Sequence, residues 1–205
     1  MTVFHLVRHA EHGLLGRVLA GRMPGVSLNG RGREQAQLLA QHFASVPAVA
    51  VVSSPLERAQ ETAAPVAAAL GLAVATDAGL DEVDFGSWTG MAFEALQDLP
   101  TWTAWNQFRG TAPTPGGETM LEALARALGS LARLRCAYPD GDVVLVSHQD
   151  VLKALLMHSL GAPLDLMHRI ELAPASRSIL CVFSNGGARV DGLNLPIRPT
   201  AVEPA

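Results

Sequence analysis

The chain has 205 residues, of which 49% are hydrophobic and 17% charged, and 15 Lys and Arg against 19 Asp and Glu give a formal net charge of −4. This apolar content supports a sizeable core and excludes a disordered chain, and the lack of a basic tract argues against nucleic-acid binding. No apolar stretch reaches the ~18 residues that span a bilayer, and the N-terminus lacks the pattern of a signal peptide. Cys136 and Cys181 have no metal-ligand spacing. We therefore expect a soluble, cytoplasmic protein.

Short apolar runs alternate with longer amphipathic segments along the chain. Asn29 can cap a helix whose apolar face includes Leu39 and Phe43. Pro55 suits the first turn of the next helix, and Gly71 suits its end. In chain order, the predicted strands cover residues 3–7, 48–52, 72–75, 143–146, 180–183 and 189–190, and the predicted helices follow Asn29, Pro55, residues 115–117 and His148.

Strands that alternate with helices indicate an α/β fold with a mainly parallel sheet. The last two predicted strands are joined by residues 184–187 (Ser-Asn-Gly-Gly), which is typical of a hairpin and adds an antiparallel edge. We therefore predict a three-layer α/β sandwich with helices on both faces of the central sheet. Residues 1–195 are predicted to form a single domain, and residues 196–205 a C-terminal tail.

The segment 84–117 differs from the rest in its aromatic content. It holds all three Trp and three of the six Phe. This clustering predicts a small helical insert with a satellite core of its own. The same insert can also act as a lid over a pocket, and the two interpretations are compatible.

Cationic and ionisable residues follow three of the predicted strands. Arg8 and His9 come after the first, Arg58 lies one turn into the helix after the second, and His148 follows the late strand. Ligands of open α/β sheets bind beyond the carboxyl ends of the strands, so these side chains are predicted to converge on one pocket. Guanidinium groups match phosphoryl oxygens, which indicates an anion site. Glu82, in the acidic stretch 81–84, is either a catalytic carboxyl or a solvated loop residue.

Six segments in order resemble the histidine phosphatase superfamily, which has the phosphoglycerate mutase-like fold. The resemblance covers roughly residues 3 to 160. The segments are residues 6–11 (Leu-Val-Arg-His-Ala-Glu), 28–36 (Leu-Asn-x-x-Gly-x-x-Gln-Ala), 53–63 (Ser-Ser-Pro-Leu-x-Arg-Ala-x-x-Thr-Ala), 80–90 (Leu-Asp-Glu-x-x-Phe-Gly-x-Trp-x-Gly), 115–118 (Pro-Gly-Gly-Glu) and 144–148 (Val-Leu-Val-Ser-His).

The resemblance implies a role for each matched residue. His9 is the nucleophile that becomes phosphohistidine, whereas Arg8, Arg58 and His148 bind the phosphoryl oxygens. Glu82 donates the proton to the leaving oxygen, which a carboxyl can do only if its pKa is raised towards neutrality, as a neighbouring phosphate would raise it. A neutral imidazole is a competent nucleophile near pH 7. No metal and no cofactor are implied, because the arginines supply the positive field.

The chain departs from the family pattern at three places. Ala10 and Gln149 stand where Gly is common, and residues 12–16 lack the Asn that many members use as an extra phosphate contact. Arg22 is the candidate substrate-binding residue that replaces this contact, and Arg17 is a second candidate.

The predicted function is metal-independent hydrolysis of a small organic phosphomonoester through a phosphohistidine intermediate, by a monomer or homodimer without nucleic-acid or membrane partners. A phosphoglycerate-type mutase is an alternative, although known mutases carry a longer insertion than the 32 residues between Glu82 and Pro115. Two further alternatives are a catalytically weak relative that binds a phosphate ligand and a metal site formed by His5, His9 and His12.

Overall fold

A six-stranded mixed sheet lies at the centre of the computed structural model, which describes residues 1–197. The strands are β1 (Thr2–Arg8), β2 (Ala48–Ser53), β3 (Val74–Thr76), β4 (Asp142–Ser147), β5 (Arg177–Val182) and β6 (Ala188–Leu195). Their order across the sheet is β3-β2-β4-β1-β5-β6. The first four strands in this order are parallel, whereas β5 is antiparallel to β1 and β6 is antiparallel to β5. The predicted parallel sheet with an antiparallel edge is confirmed.

Helices cover both faces of this sheet. They are α1 (Gly30–Phe43), α2 (Glu57–Leu70), α3 (Phe93–Gln97), α4 (Pro100–Gln107), α5 (Met120–Ala137) and α6 (Gln149–Ser159). Successive residues of a strand point to opposite faces, so Leu6 packs into the core that α5 and α6 cover and Val7 into the core that α1 and α2 cover. The predicted three-layer sandwich is therefore confirmed.

The first two helices begin and end through local hydrogen bonds. Asn29 caps α1 as predicted, its side chain accepting a hydrogen bond from Gly32 N, and Gly71 ends α2 in the left-handed conformation with a φ of 67°. The prediction that Pro55 lies in the first turn of α2 is wrong. Ser54 Oγ accepts a hydrogen bond from Leu56 N, so a turn holds Pro55 and the helix begins two residues after it.

Other predicted boundaries also differ from the structure, most of all the end of β6, which extends to Leu195 rather than residue 190. Helix α5 begins at Met120 rather than Glu118, because the Thr119 side chain and Glu122 form a capping box. Strand β5 begins at Arg177, before the apolar run that predicted it, because backbone pairing with β1 continues past the apolar residues. Strand β3 is short and shifted to Val74–Thr76.

The aromatic insert contains α3 and α4, in agreement with the predicted helical insert. Its aromatic side chains do not form a satellite core. Trp88 and Trp105 belong to the same buried cluster as the sheet residues Phe4 and Leu6, and Trp105 is fully buried. Since the insert shares the main core, it is fixed to the sheet beneath it.

Two predictions concern the membrane and the end of the chain. No helix among residues 1–197 is long and apolar enough to cross a bilayer. The predicted tail falls mostly on residues 198–205, which lie outside the described residues.

Candidate active site

The carboxyl ends of β1, β4 and β2 meet at one edge of the sheet, as predicted. Arg8 at the end of β1 is paired with Ser147 at the end of β4, and His9 N donates a hydrogen bond of 2.9 Å to Ser147 O. The ring centroids of His9 and His148 are 5.2 Å apart. Residues that are distant in sequence therefore come together where the strands end.

His9 is held in one tautomer by a backbone carbonyl. Its ring is 3% exposed, and Nδ1 lies 2.8 Å from Ala10 O. A carbonyl oxygen only accepts, so Nδ1 carries the proton and Nε2 retains its lone pair when the ring is neutral. Burial, together with the positive charges of Arg58 and Arg8, lowers the pKa of His9 well below its usual value. The imidazole is therefore neutral, with Nε2 available as a nucleophile.

Two buried guanidinium groups lie beside His9. Arg8 Nη1 donates to Leu172 O at 2.5 Å, and Arg58 Nη2 donates to Gly21 O at 2.7 Å. Among residues 1–197, Arg8 Nε and both Nε and Nη1 of Arg58 have no hydrogen-bond partner. Neither arginine has a carboxylate in salt-bridge contact within the described chain. Buried cations with unused donors favour an anionic ligand, and a phosphoryl group satisfies both the charge and the donors.

His148 lies next to His9 and is held by two hydrogen bonds. It is completely buried, Nδ1 accepts a hydrogen bond of 3.1 Å from Arg58 Nη2, and Nε2 donates to Ser54 Oγ at 2.8 Å. Ser54 Oγ in turn donates to Asp81 at 2.8 Å. Both ring nitrogens therefore have a hydrogen-bond partner, and one of these partners is Arg58. The contact of His148 with the phosphoryl oxygens stays a prediction.

Glu82 lines the same cavity as His9 and lies in the loop between β3 and α3. Burial, followed by the negative charge of Asp150, raises the pKa of Glu82 to about 7. The sequence analysis attributed the raised pKa of Glu82 to a neighbouring phosphate. In the structure, burial and the carboxylate of Asp150 already raise it. A carboxyl that is largely protonated near neutrality can donate a proton to a leaving oxygen.

The backbone of Glu82 is held by two arginines that share one carboxylate. Arg22 Nε and Arg126 Nη2 donate to Glu82 O at 2.7 and 3.1 Å, and both side chains also bind Glu118, at 2.8 and 2.6 Å. Glu118 further accepts from Asp84 N at 3.0 Å. Arg22 is not among the residues that line the cavity, and its side chain holds the backbone of Glu82. Its role in substrate binding stays a prediction.

The loop that follows His9 is fixed by the start of α1. Glu11 N donates to the Gln35 side chain at 2.9 Å, and Asn29 Nδ2 donates to the Glu11 carboxylate at 3.0 Å. A Cβ on Gly32 would lie 2.0 Å from Glu11 O, so this close approach requires glycine. The Leu-Asn-x-x-Gly-x-x-Gln segment therefore supports the nucleophile loop.

His12 is a cavity residue whose role the sequence analysis missed. It lines the cavity, and its ring centroid lies 5.3 Å from that of His9. Nδ1 accepts a hydrogen bond of 3.3 Å from Leu14 N, which leaves the proton on Nε2. Burial lowers the pKa of His12 to about 4, with Arg58 and Arg8 contributing. A neutral Nε2–H donor thus lies in the loop that lacks the usual Asn, whereas Arg17 is exposed.

Arg109 and Asp150 form a second charged feature of the cavity. Arg109 Nη1 lies 2.7 Å from the Asp150 carboxylate, and both side chains are largely buried. Although burial disfavours the charged form, the ion pair with Arg109 lowers the pKa of Asp150. The two residues are 41 positions apart and follow no local pattern, so the sequence carried no signal for this pair.

Of the three histidines named in the metal alternative, His9 and His12 lie close together but His5 does not join them. His5 Nε2 binds Asp142 at 3.0 Å, and its ring packs against Phe43 rather than His9. Within residues 1–197, no group of three or more His, Cys, Asp or Glu is placed to hold a metal ion.

The buried neutral histidines predict a loss of stability in mild acid. The pKa values of His9 and His148 are well below 6.5 in the folded protein and that of His12 is about 4, so the unfolded chain binds more protons as the pH falls below 6.5. Glu82 opposes this trend by one proton. Three other histidines also have lowered pKa values and add to the loss, so we expect the free energy of unfolding to fall as the pH drops from 6.5 towards 5.

Urea denaturation at several pH values measures this effect. His12→Gln should flatten the slope by about one proton, or ~1.4 kcal/mol per pH unit. A parent whose stability is flat between pH 7 and 5 would contradict the prediction.

Known proteins resemble this chain over nearly all of its length. The model of the histidine phosphatase superfamily (branch 1) matches residues 4–196. A bifunctional protein of Mycobacterium tuberculosis is 37% identical over 194 residues, which are 92% of this chain and 52% of that protein. Phosphoserine phosphatase 1 of Hydrogenobacter thermophilus is 31% identical over 185 residues, 88% of this chain and 86% of that protein. The structure of a mycobacterial glucosyl-3-phosphoglycerate phosphatase aligns with this chain at a TM-score of 0.84 and 26% sequence identity. The alignment covers 94% of this chain and 98% of that one.

The first of these relatives is much longer than the chain. The chain spans about half the length of the first curated relatives it matches. The family match nevertheless includes all the segments from which the resemblance was predicted. The prediction is therefore confirmed, and the chain belongs to the histidine phosphatase superfamily.

Proposed function

We propose that the protein hydrolyses small organic phosphomonoesters through a phosphohistidine formed on His9, without a metal ion. One observation carries this proposal. The lone pair of His9 Nε2 lies in a cavity beside Arg8 and Arg58, whose buried N–H groups have no partner among the described residues. A nucleophile next to an unfilled anion site suits attack on a bound phosphoryl group.

The first step transfers the phosphoryl group to the protein. His9 Nε2 attacks phosphorus, the bond between phosphorus and the ester oxygen breaks, and Glu82 gives its proton to the departing oxygen. Arg8 and Arg58 balance the charge on the phosphoryl oxygens, and His12 Nε2–H supplies a further donor. Fixed donors need no reorganisation as charge moves to the leaving oxygen, so they stabilise the transition state more than water would.

The second step releases phosphate. A water molecule attacks the phosphohistidine, the Glu82 carboxylate takes its proton, and the bond between His9 and phosphorus breaks. Glu82 returns to its protonated form and His9 to its neutral form. A residue that acts first as an acid and then as a base needs a pKa near the working pH, which the raised pKa of about 7 provides.

Metal independence is tested with a chelator. We expect the release of phosphate from p-nitrophenyl phosphate and from an alkyl phosphate to survive exhaustive treatment with EDTA, because the buried arginines supply the positive field. Vanadate and inorganic phosphate should inhibit competitively. Loss of activity with EDTA that one added metal restores would contradict the mechanism.

The alternatives within the family have distinct outcomes in the same assay. A mutase transfers its phosphoryl group between phosphoglycerates and releases little inorganic phosphate. A weak phosphate-binding relative binds vanadate but accumulates no acid-labile phosphate on the protein. Hydrolysis is the expected result, since the 32 residues between Glu82 and Pro115 are fewer than the insertion that known mutases carry.

A further inference from the structure

The cavity that contains His9 also reaches the helical insert. Its volume is about 510 Å³, within the range of cavities that enclose a whole organic ligand. A phosphoryl group between Arg8 and Arg58 fills only part of this space. The remainder, which we call the outer chamber, is lined by Val18, Phe93, Trp102, Arg109, Asp150 and Glu171.

One wall of the outer chamber is apolar and rigid. Val18, Phe93 and Trp102 are half-buried and therefore present apolar surface to the cavity. Trp102 packs edge-on against Trp88 at 5.3 Å between centroids, and Phe93 lies 6.2 Å from it. An aromatic ring that is already fixed binds an apolar partner at a small cost in side-chain entropy.

The outer chamber is also lined by charged side chains, but their charges are already paired. Arg109 binds the Asp150 carboxylate at 2.7 Å and the Asn106 side chain at 2.9 Å. The buried Lys153 binds Glu171 at 3.2 Å. The lining cation Arg109 and the buried Lys153 each have a carboxylate partner, so the two pairs carry no net charge.

The whole cavity can be balanced by one phosphate dianion. Among the cavity-lining Lys and Arg that the structure describes, only Arg8 and Arg58 lack a carboxylate partner, and their two charges match the phosphoryl group. His168, also in the wall, is kept neutral because burial and Arg109 lower its pKa. A carboxylate on the leaving group would face Asp150 and Glu171 without an unpaired cation, and such like-charge contacts are unfavourable.

We propose that the outer chamber selects a leaving group without net charge that presents an apolar surface to Trp102. The substrate class is then phosphomonoesters of uncharged alcohols with an apolar or aromatic portion, rather than esters whose alcohol carries a carboxylate or an ammonium group. This inference rests on the proposed function, because it assigns the leaving group of the same reaction.

Binding of three phosphonates that cannot be hydrolysed tests the inference. They are p-methylbenzylphosphonate, p-carboxybenzylphosphonate and p-(aminomethyl)benzylphosphonate, which are similar in size and differ in charge. By calorimetry, we expect the methyl compound to have a Kd at least tenfold lower than either charged compound. Equal or tighter binding of a charged compound, or no binding of any of the three, would overturn the inference. Hydrolysis of p-nitrophenyl phosphate, measured in parallel, reports separately on the proposed function.

Two variants separate the contributions of the walls. Asp150→Asn leaves Arg109 unpaired. The ratio of the Kd of p-carboxybenzylphosphonate to that of p-methylbenzylphosphonate should therefore fall about tenfold. Trp102→Ala should raise the Kd of p-methylbenzylphosphonate about tenfold and leave the Kd of methylphosphonate unchanged. Phe108→Ala removes an exposed aromatic ring of the same insert outside the cavity and should change none of these constants. An unchanged preference in folded Asp150→Asn, or equal losses for both phosphonates in Trp102→Ala, would overturn the inference.

Discussion

Replacing His9 by alanine is expected to lower the hydrolysis of every phosphomonoester roughly 10⁴-fold or more, because the covalent route is removed. The fold should remain intact, since the side-chain hydrogen bond of His9 is made to the adjacent carbonyl of Ala10 and fixes no distant element. Initial rates of phosphate release measure the loss. Rapid acid-free quenching of the parent should trap phosphate on His9 that is stable to alkali and lost in acid.

The exposed His158 gives a matched control for this variant. His158→Ala should retain the activity of the parent, since it lies outside the cavity. Vanadate should still bind to the His9→Ala protein, because Arg8 and Arg58 keep their unused donors. A His9→Ala protein that retains a tenth of the parent activity would show that His9 binds the phosphoryl group without attacking it.

Glu82→Gln is expected to separate two classes of ester. p-Nitrophenolate leaves as a stable anion, so the variant should hydrolyse the aryl ester almost as fast as the parent does. An alkoxide needs a proton to leave, so the rate of hydrolysis of an alkyl ester should fall by ~10²–10⁴-fold, which is the usual contribution of a general acid. In the parent, kcat for the alkyl ester should fall above pH 7, where Glu82 with its pKa of about 7 loses the proton. This alkaline limb should be absent in the variant.

Glu94→Gln, at an exposed position on α3, is the corresponding control and should leave the rate of hydrolysis of both esters unchanged. Equal losses for the two esters in Glu82→Gln would mean that Glu82 only shapes the cavity. Another group would then have to protonate the leaving oxygen. Asp150 is a poor candidate, because its ion pair with Arg109 lowers its pKa.

The order and type of most elements were predictable because they depend on local patterns. Alternation of apolar strands with amphipathic helices indicated the layers, and Asn29 and Gly71 marked helix ends through their own side-chain and backbone chemistry. The carboxyl ends of parallel strands lie at one edge of a sheet, so the convergence of Arg8 and His148 followed from the fold class. These are the parts of the structure that short stretches of sequence determine.

Other features depend on contacts between distant segments. The hydrogen bonds of Arg22 to Glu82 O and to Glu118, 96 positions away, follow from no local pattern. The same holds for the hydrogen bond that His148 Nε2 donates to Ser54 Oγ, 94 positions away. The aromatic insert was expected to pack on itself, yet the main core receives its buried rings. No local pattern specifies such partners.

The two halves of the active site differ in how their backbones are held. Strand β1, which ends at Arg8, is hydrogen-bonded to β4 on one side and β5 on the other, whereas Glu82 lies in no helix or strand and its carbonyl is held by arginine side chains. Segments without regular pairing open at a lower free-energy cost than the centre of a sheet. Brief local opening there would remove the acid but keep the nucleophile, and such molecules could cleave only activated esters. The range of alcohols that the protein can release is thus coupled to the local stability of one short loop.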